Sequence, residues 1–151
     1  MSVGPMLLHM TTEGAVVAVF NTSEDTTEML RTALERAGHT VVTAFTHALR
    51  DGRTDLEALM RQHRPRVVVY DIALPYESNW RLCEHIRSSP ACEGVAFVLT
   101  TTNVSQVAGI VGRHEQILEI VGKPYDLKQI SAAIVEALRV AELSASLPGA
   151  H

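Results

Sequence analysis

Long apolar runs, cysteine, aromatics and excess positive charge are all scarce in this chain. No hydrophobic run approaches the ~20 residues that a membrane-spanning helix needs. The two cysteines, Cys83 and Cys92, lack Cys-x-x-Cys spacing. A disulfide framework and a zinc knuckle are therefore not expected, and both thiols read as reduced, in a cytoplasmic protein. The seven histidines are scattered, without metal-site spacing. Aromatics make up 5% of the chain, too few to flank a flavin generously. Thirteen basic residues face seventeen acidic ones, and the net charge of -4 gives no electrostatic basis for direct nucleic-acid binding. The first thirteen residues have no basic segment followed by a long apolar core, so a signal peptide is not expected.

What is present is an ordinary globular balance, 46% hydrophobic and 20% charged, over 151 residues. That suffices for one domain with a proper core. Its expected extent is 14–143, with a flexible N-terminal arm at 1–13 and a C-terminal tail at 144–151. Five short apolar runs read as buried strands: 15–20 (AVVAVF), 39–45 (HTVVTAF), 67–70 (VVVY), 95–100 (VAFVLT) and 117–121 (ILEIV). Helical stripes separate them. Thr22 or Ser23 can cap a first helix that stops at Gly38. Residues 46–53 read as a loop, and a second helix opens at Thr54 with Leu56, Leu59 and Met60 inward. A third covers 79–88, and a weaker one, with two glycines, covers 104–113. Asp126 caps the last, whose inward face is Leu127, Ile130, Ile134, Leu138 and Ala141. Alternating strands and helices predict a parallel sheet covered on both faces. At this size the expected fold is the flavodoxin-like (βα)5 doubly wound sheet, strand order 2-1-3-4-5.

That order gathers the carboxyl ends of strands one, three, four and five at one crevice. Those ends carry Asn21-Thr22, Asp71, Thr100 and Lys123. A carboxylate, a hydroxyl and an ammonium would meet there. Asp71 could act as a nucleophile, with Thr100 and Lys123 binding the oxygens of a phosphoryl group attached to it. Taken singly, each residue has a plainer reading: Asp71 as a turn residue, Thr100 as a strand-end hydroxyl, Lys123 as a solvated lysine.

Three stretches in order, VVVYDIALP at 67–75, VLT at 98–100 and KPYDL at 123–127, resemble the receiver domain of bacterial two-component response regulators. LRTALERAGHTV at 30–41 is similar to that family's first helix and second strand. The resemblance is collinear over roughly residues 15 to 140. It implies that Asp71 accepts a phosphoryl group from a histidine kinase or phosphotransfer protein. It implies that Thr100 and Lys123 bind the phosphoryl oxygens, and that the Lys123–Pro124 bond is cis. A downstream protein partner and a homodimer through the last strands and helices are further implications.

Three positions depart from the pattern. The family's acidic pair at the end of strand one, which holds Mg²⁺, is replaced by Asn21 and Thr22. Asp71 and the backbone carbonyl of Ala73 are the ligands left, so Mg²⁺ binding is expected to be weak or absent. Glu24 or Asp25 could substitute only through a shift of the loop; as residues at a helix start they are already explained. Ile120 stands where active receivers carry a switching aromatic. Asn79 stands where glycine is usual, a mild change, since Asn tolerates left-handed backbone angles.

Two readings follow. One is a phosphoacceptor module, a switch rather than an enzyme. The alternative is a phosphorylation-independent pseudo-receiver that binds a protein or dimerises. A flavodoxin shares the architecture, but Glu24 and Asp25 would repel its phosphate. The chain reads either as a single-domain regulator or as a fragment of a longer protein.

Overall fold

The computed structural model of the chain describes residues 15–112, 117–122 and 127–146. Five strands, β1 (Val16–Asn21), β2 (Thr40–Phe45), β3 (Val67–Ile72), β4 (Ala96–Thr101) and β5 (Ile117–Gly122), form one parallel sheet in the order β2-β1-β3-β4-β5. This is the doubly wound order expected from the alternation of apolar runs. β3 and β4 are buried along their whole length, which explains why neither alternates in sequence.

Among the described residues six α-helices lie between and after the strands: α1 (Glu24–Arg36), α2 (Thr46–Asp51), α3 (Leu56–His63), α4 (Tyr76–Arg87), α5 (Val104–Val111) and, following β5, α6 (Leu127–Ser146). Helices α1 and α6 cover one face. Leu30, Leu34, Ile130, Ile134 and Leu138 pack there on Val17, Val19, Val67, Val69 and Val98. Met60 of α3, Trp80, Cys83 and Ile86 of α4, and Val107 of α5 cover the other, on Phe20, Val68, Tyr70, Phe97 and Leu99. Each fully buried Leu, Ile, Val or Phe contributes about 1.5–3 kcal/mol relative to exposure. The two-residue period of each strand thus divides one core into two layers.

Helix α1 begins and ends as its residues dictate. The Ser23 hydroxyl accepts from the Thr26 N–H at 3.2 Å, and Glu24 and Asp25 lie in the first turn, where negative charge is favoured. Gly38, at φ 97°, ends it in a conformation that glycine adopts without strain.

Several expectations need correction. Residues 46–53 are not a loop: Thr46–Asp51 is a short helix, closed by Gly52 at φ 77°. Helix α4 starts at Tyr76, not at residue 79. Pro75 flanks it without a side-chain cap, so the usual start signal is missing. Leu127, the first residue of α6, is exposed rather than inward, and the buried face begins at Ile130. α6 runs to Ser146. The cis X-Pro bond among the described residues is Leu74–Pro75; Lys123, Pro124 and the Asp126 cap lie outside them.

Candidate functional site

The register of the sheet assembles the site. Asp71 is paired directly with Thr100 across β3 and β4. Phe20 pairs with Tyr70, so Asn21, one residue on, stands at the level of Asp71 on the neighbouring strand. By the alternation of β1, β3 and β4, Asn21, Asp71 and Thr100 share the face covered by α1 and α6.

Asp71 is 2% exposed and Thr100 is fully buried. The Thr100 hydroxyl donates to Asp71 Oδ1 at 2.8 Å. A carboxylate removed from water needs such donors, and a hydrogen bond to a charged group contributes about 1.5–3 kcal/mol. Five residues after Asp71 and two after Thr100, a second contact ties the same edge: Tyr76 Oη and Thr102 Oγ1 lie 2.7 Å apart. The ends of β3 and β4 are therefore joined both by side chains of the strands and by side chains of the segments that follow them.

The expected cation ligands are arranged otherwise. Asn21 is buried, and its Oδ1 accepts from the Ser23 N–H at 2.9 Å, within its own turn. Thr22 is exposed, and so are Glu24 and Asp25 on the first turn of α1. The Ala73 carbonyl accepts from Asn79 Nδ2 at 2.7 Å, and the same amide donates to the Pro75 carbonyl at 3.2 Å. Asn79 Oδ1 accepts from Arg50 Nη2 at 3.0 Å. Among the described residues no cluster of three His, Cys, Asp or Glu side chains could hold a metal ion. Mg²⁺ requires near-octahedral oxygen coordination with one or two carboxylates. A single carboxylate already bonded to Thr100, a carbonyl already bonded to an amide, and two neutral side chains do not fit that ion.

Asn79 departs from its expected role. It lies inside α4, and Arg64 is the only non-glycine residue with positive φ among the described residues. Its importance is in its carboxamide, not in tolerance of left-handed backbone. Arg50 was not expected at the site at all; it lies on the helix read as a loop, where no periodicity marks it. Ile120, at the position of the family's switching aromatic, is half-buried and packs on the α3–α5 layer. Lys123 follows the last residue of β5 and lies outside the described residues.

Under the site sits Tyr70, fully buried, its ring edge-on to Phe20. Burial first, and then the neighbouring Cys83, push its phenol well above the usual range; Arg50 pulls it down and Asp71 pushes it up. Arg50 and Asp71 are thus both within electrostatic reach of one hydroxyl. The Cys83 thiol is pushed up by burial, and that of Cys92, for the same reason, to about 11; both are buried and unsuited to nucleophilic chemistry.

Comparison with known proteins bears on the fold and on sequence similarity. No family model matches the chain. It is 23% identical over 135 residues to the transcriptional regulatory protein GltR of Pseudomonas aeruginosa, covering 89% of this chain and 53% of the relative. It is 30% identical over 119 residues to the transcriptional regulatory protein AfsQ1 of Streptomyces coelicolor, covering 76% and 49%. The chain spans about half the length of these two relatives. Among solved structures, a response regulator receiver domain protein from Clostridium thermocellum superposes with a TM-score of 0.65 at 21% identity, covering 85% of this chain and 98% of the other.

Proposed function

We propose that this chain, a receiver domain of the response-regulator type acting in two-component signalling, takes a phosphoryl group on Asp71. The observation that carries the reading is the buried Thr100–Asp71 pair, 2.8 Å apart at the carboxyl edge of the sheet. An Asp71 carboxylate oxygen attacks the phosphorus of a phosphohistidine on a histidine kinase or phosphotransfer protein. The new P–O bond forms as the P–N bond breaks, and the imidazole takes the electron pair. The Thr100 hydroxyl then turns its hydrogen bond from the carboxylate to a phosphoryl oxygen. Lys123, by its place after β5, supplies the ammonium for a second oxygen.

The chain works on this reading as a switch in the cytoplasm rather than as an enzyme. Its output is a changed affinity for a downstream protein, or for a second copy of itself, with no direct contact to nucleic acid. No helix among the described residues is long and apolar enough to cross a membrane. The second reading, a pseudo-receiver that binds its partner without phosphorylation, is favoured by one specific feature, the neutral Asn21 and Thr22 in place of an acidic pair.

The test is chemical trapping. The protein is incubated with acetyl phosphate, reduced with borohydride and mapped by peptide mass. Reduction at Asp71 alone is the expected result. Trapping at other carboxylates, or none, would overturn the assignment and leave the pseudo-receiver.

A further inference from the structure

Four atoms next to the acceptor form a continuous polar chain. Arg50 Nη2 donates to Asn79 Oδ1 at 3.0 Å, and Asn79 Nδ2 donates to the Ala73 carbonyl at 2.7 Å. We infer that the Arg50–Asn79 pair is a built-in replacement for a divalent cation. The carboxamide occupies the carbonyl that such an ion would bind, and the guanidinium brings a permanent positive charge to the same corner.

The orientation of the carboxamide is fixed by its neighbours. Its nitrogen faces two carbonyls, Ala73 and Pro75, and its oxygen faces a guanidinium. Reversing it would set oxygen against oxygen and N–H against N–H. A cation approaching Ala73 therefore meets amide hydrogens, and beyond them Arg50. The guanidinium keeps its charge throughout the physiological pH range. Its position comes from the fold. Helix α2 leaves β2 at Thr46, at the carboxyl edge of the sheet, and the Thr54 N–H holds its far end by donating to the Ala48 carbonyl at 3.1 Å. Helix α4 brings Asn79 to meet it, with only 7% of that residue exposed. Both elements are regular structure, so the pair is positioned by the scaffold rather than by a free loop. Arg50 itself is exposed, and its influence weakens as salt rises.

Exclusion of the cation stands by itself; the use of the Arg50 charge in phosphoryl transfer rests on the reading of Asp71 as acceptor. The test addresses exclusion and uses no phosphoryl donor, so a failure of that reading leaves its result intact. Free Mn²⁺ is measured by electron paramagnetic resonance as it is titrated into the full chain. The wild type is expected to leave the signal unchanged at millimolar metal. Asn21→Asp with Thr22→Asp restores the acidic pair and is expected to bind weakly. Adding Asn79→Ala to that variant should tighten binding by about tenfold or more, the usual scale for a group that holds a ligand in place. Ala is the better helix former, so α4 should persist. Adding Arg50→Gln instead leaves α4 untouched and should also tighten binding. Saturable uptake by the wild type overturns the inference. So does failure of either added substitution to tighten the acidic variant.

Discussion

At the ends of β3 and β4, Asp71 meets Thr100 in register, and the hydroxyl donates to the carboxylate. At the end of the neighbouring strand β1 and the start of α4, Asn21 turns to its own loop and Asn79 takes the Ala73 carbonyl. One corner sets a buried carboxylate against a hydroxyl donor, and the other fills a carbonyl with a carboxamide backed by a guanidinium. The same strand ends serve both. Backbone register determines which positions converge, and only the side chains at those positions decide which ion or group can bind.

Substitutions can break the first corner or sharpen its contrast with the second. The largest expected effect is that of Asp71→Asn, which should abolish the phosphoryl adduct formed with acetyl phosphate, read by intact mass. Thr100→Val keeps the shape and removes the hydroxyl that donates to a buried carboxylate. It should cost about 1.5–3 kcal/mol in urea unfolding, and Thr100→Ser should recover most of it. Tyr76→Phe breaks the neutral contact to Thr102 and should cost less, about 0.5–1.5 kcal/mol by the same measurement. If Tyr76→Phe proved the costlier of the two, the carboxylate–hydroxyl pair would not be the stronger tie between β3 and β4.

The smallest effect lies outside both corners. His39 is buried just before β2, at the opposite edge of the sheet, and burial holds its imidazole below the usual value of 6.5. The unfolded chain therefore binds more protons than the fold in mildly acidic solution. This contribution to stability is complete above pH 6.5 and is lost as the pH falls below it. His39→Phe should flatten the acid limb of a stability-versus-pH curve and leave acetyl-phosphate labelling at pH 7.5 unchanged. An unflattened limb would assign the acid sensitivity to other groups.

Strand order and the Asp71–Thr100 pair were legible in the sequence because unbroken apolar runs end at polar residues. Those endings place the residues on one edge before any contact is known. Arg50 was not legible. Its segment has neither period nor motif, and its partner Asn79 is 29 residues away. Asn79 was visible as a departure, but its reason was not. Without a capping side chain at Pro75, nothing in the sequence indicates that the helix starts three residues before Asn79, which places its carboxamide a full turn inside α4. A backbone carbonyl's partner is a fact of three dimensions, and the conclusion about the cation depends on that contact.

On the proposed reading, Asp71 accepts a phosphoryl group and the fixed positive charge of Arg50, held by Asn79, stands in for a cation. The measurement that tests it most directly is a time course of acetyl-phosphate labelling by intact mass, with Mg²⁺ and with a chelator. The expected result is the same rate in both, a slower rate in Arg50→Gln, and no adduct in Asp71→Asn. Labelling of the wild type only when Mg²⁺ is supplied would contradict it.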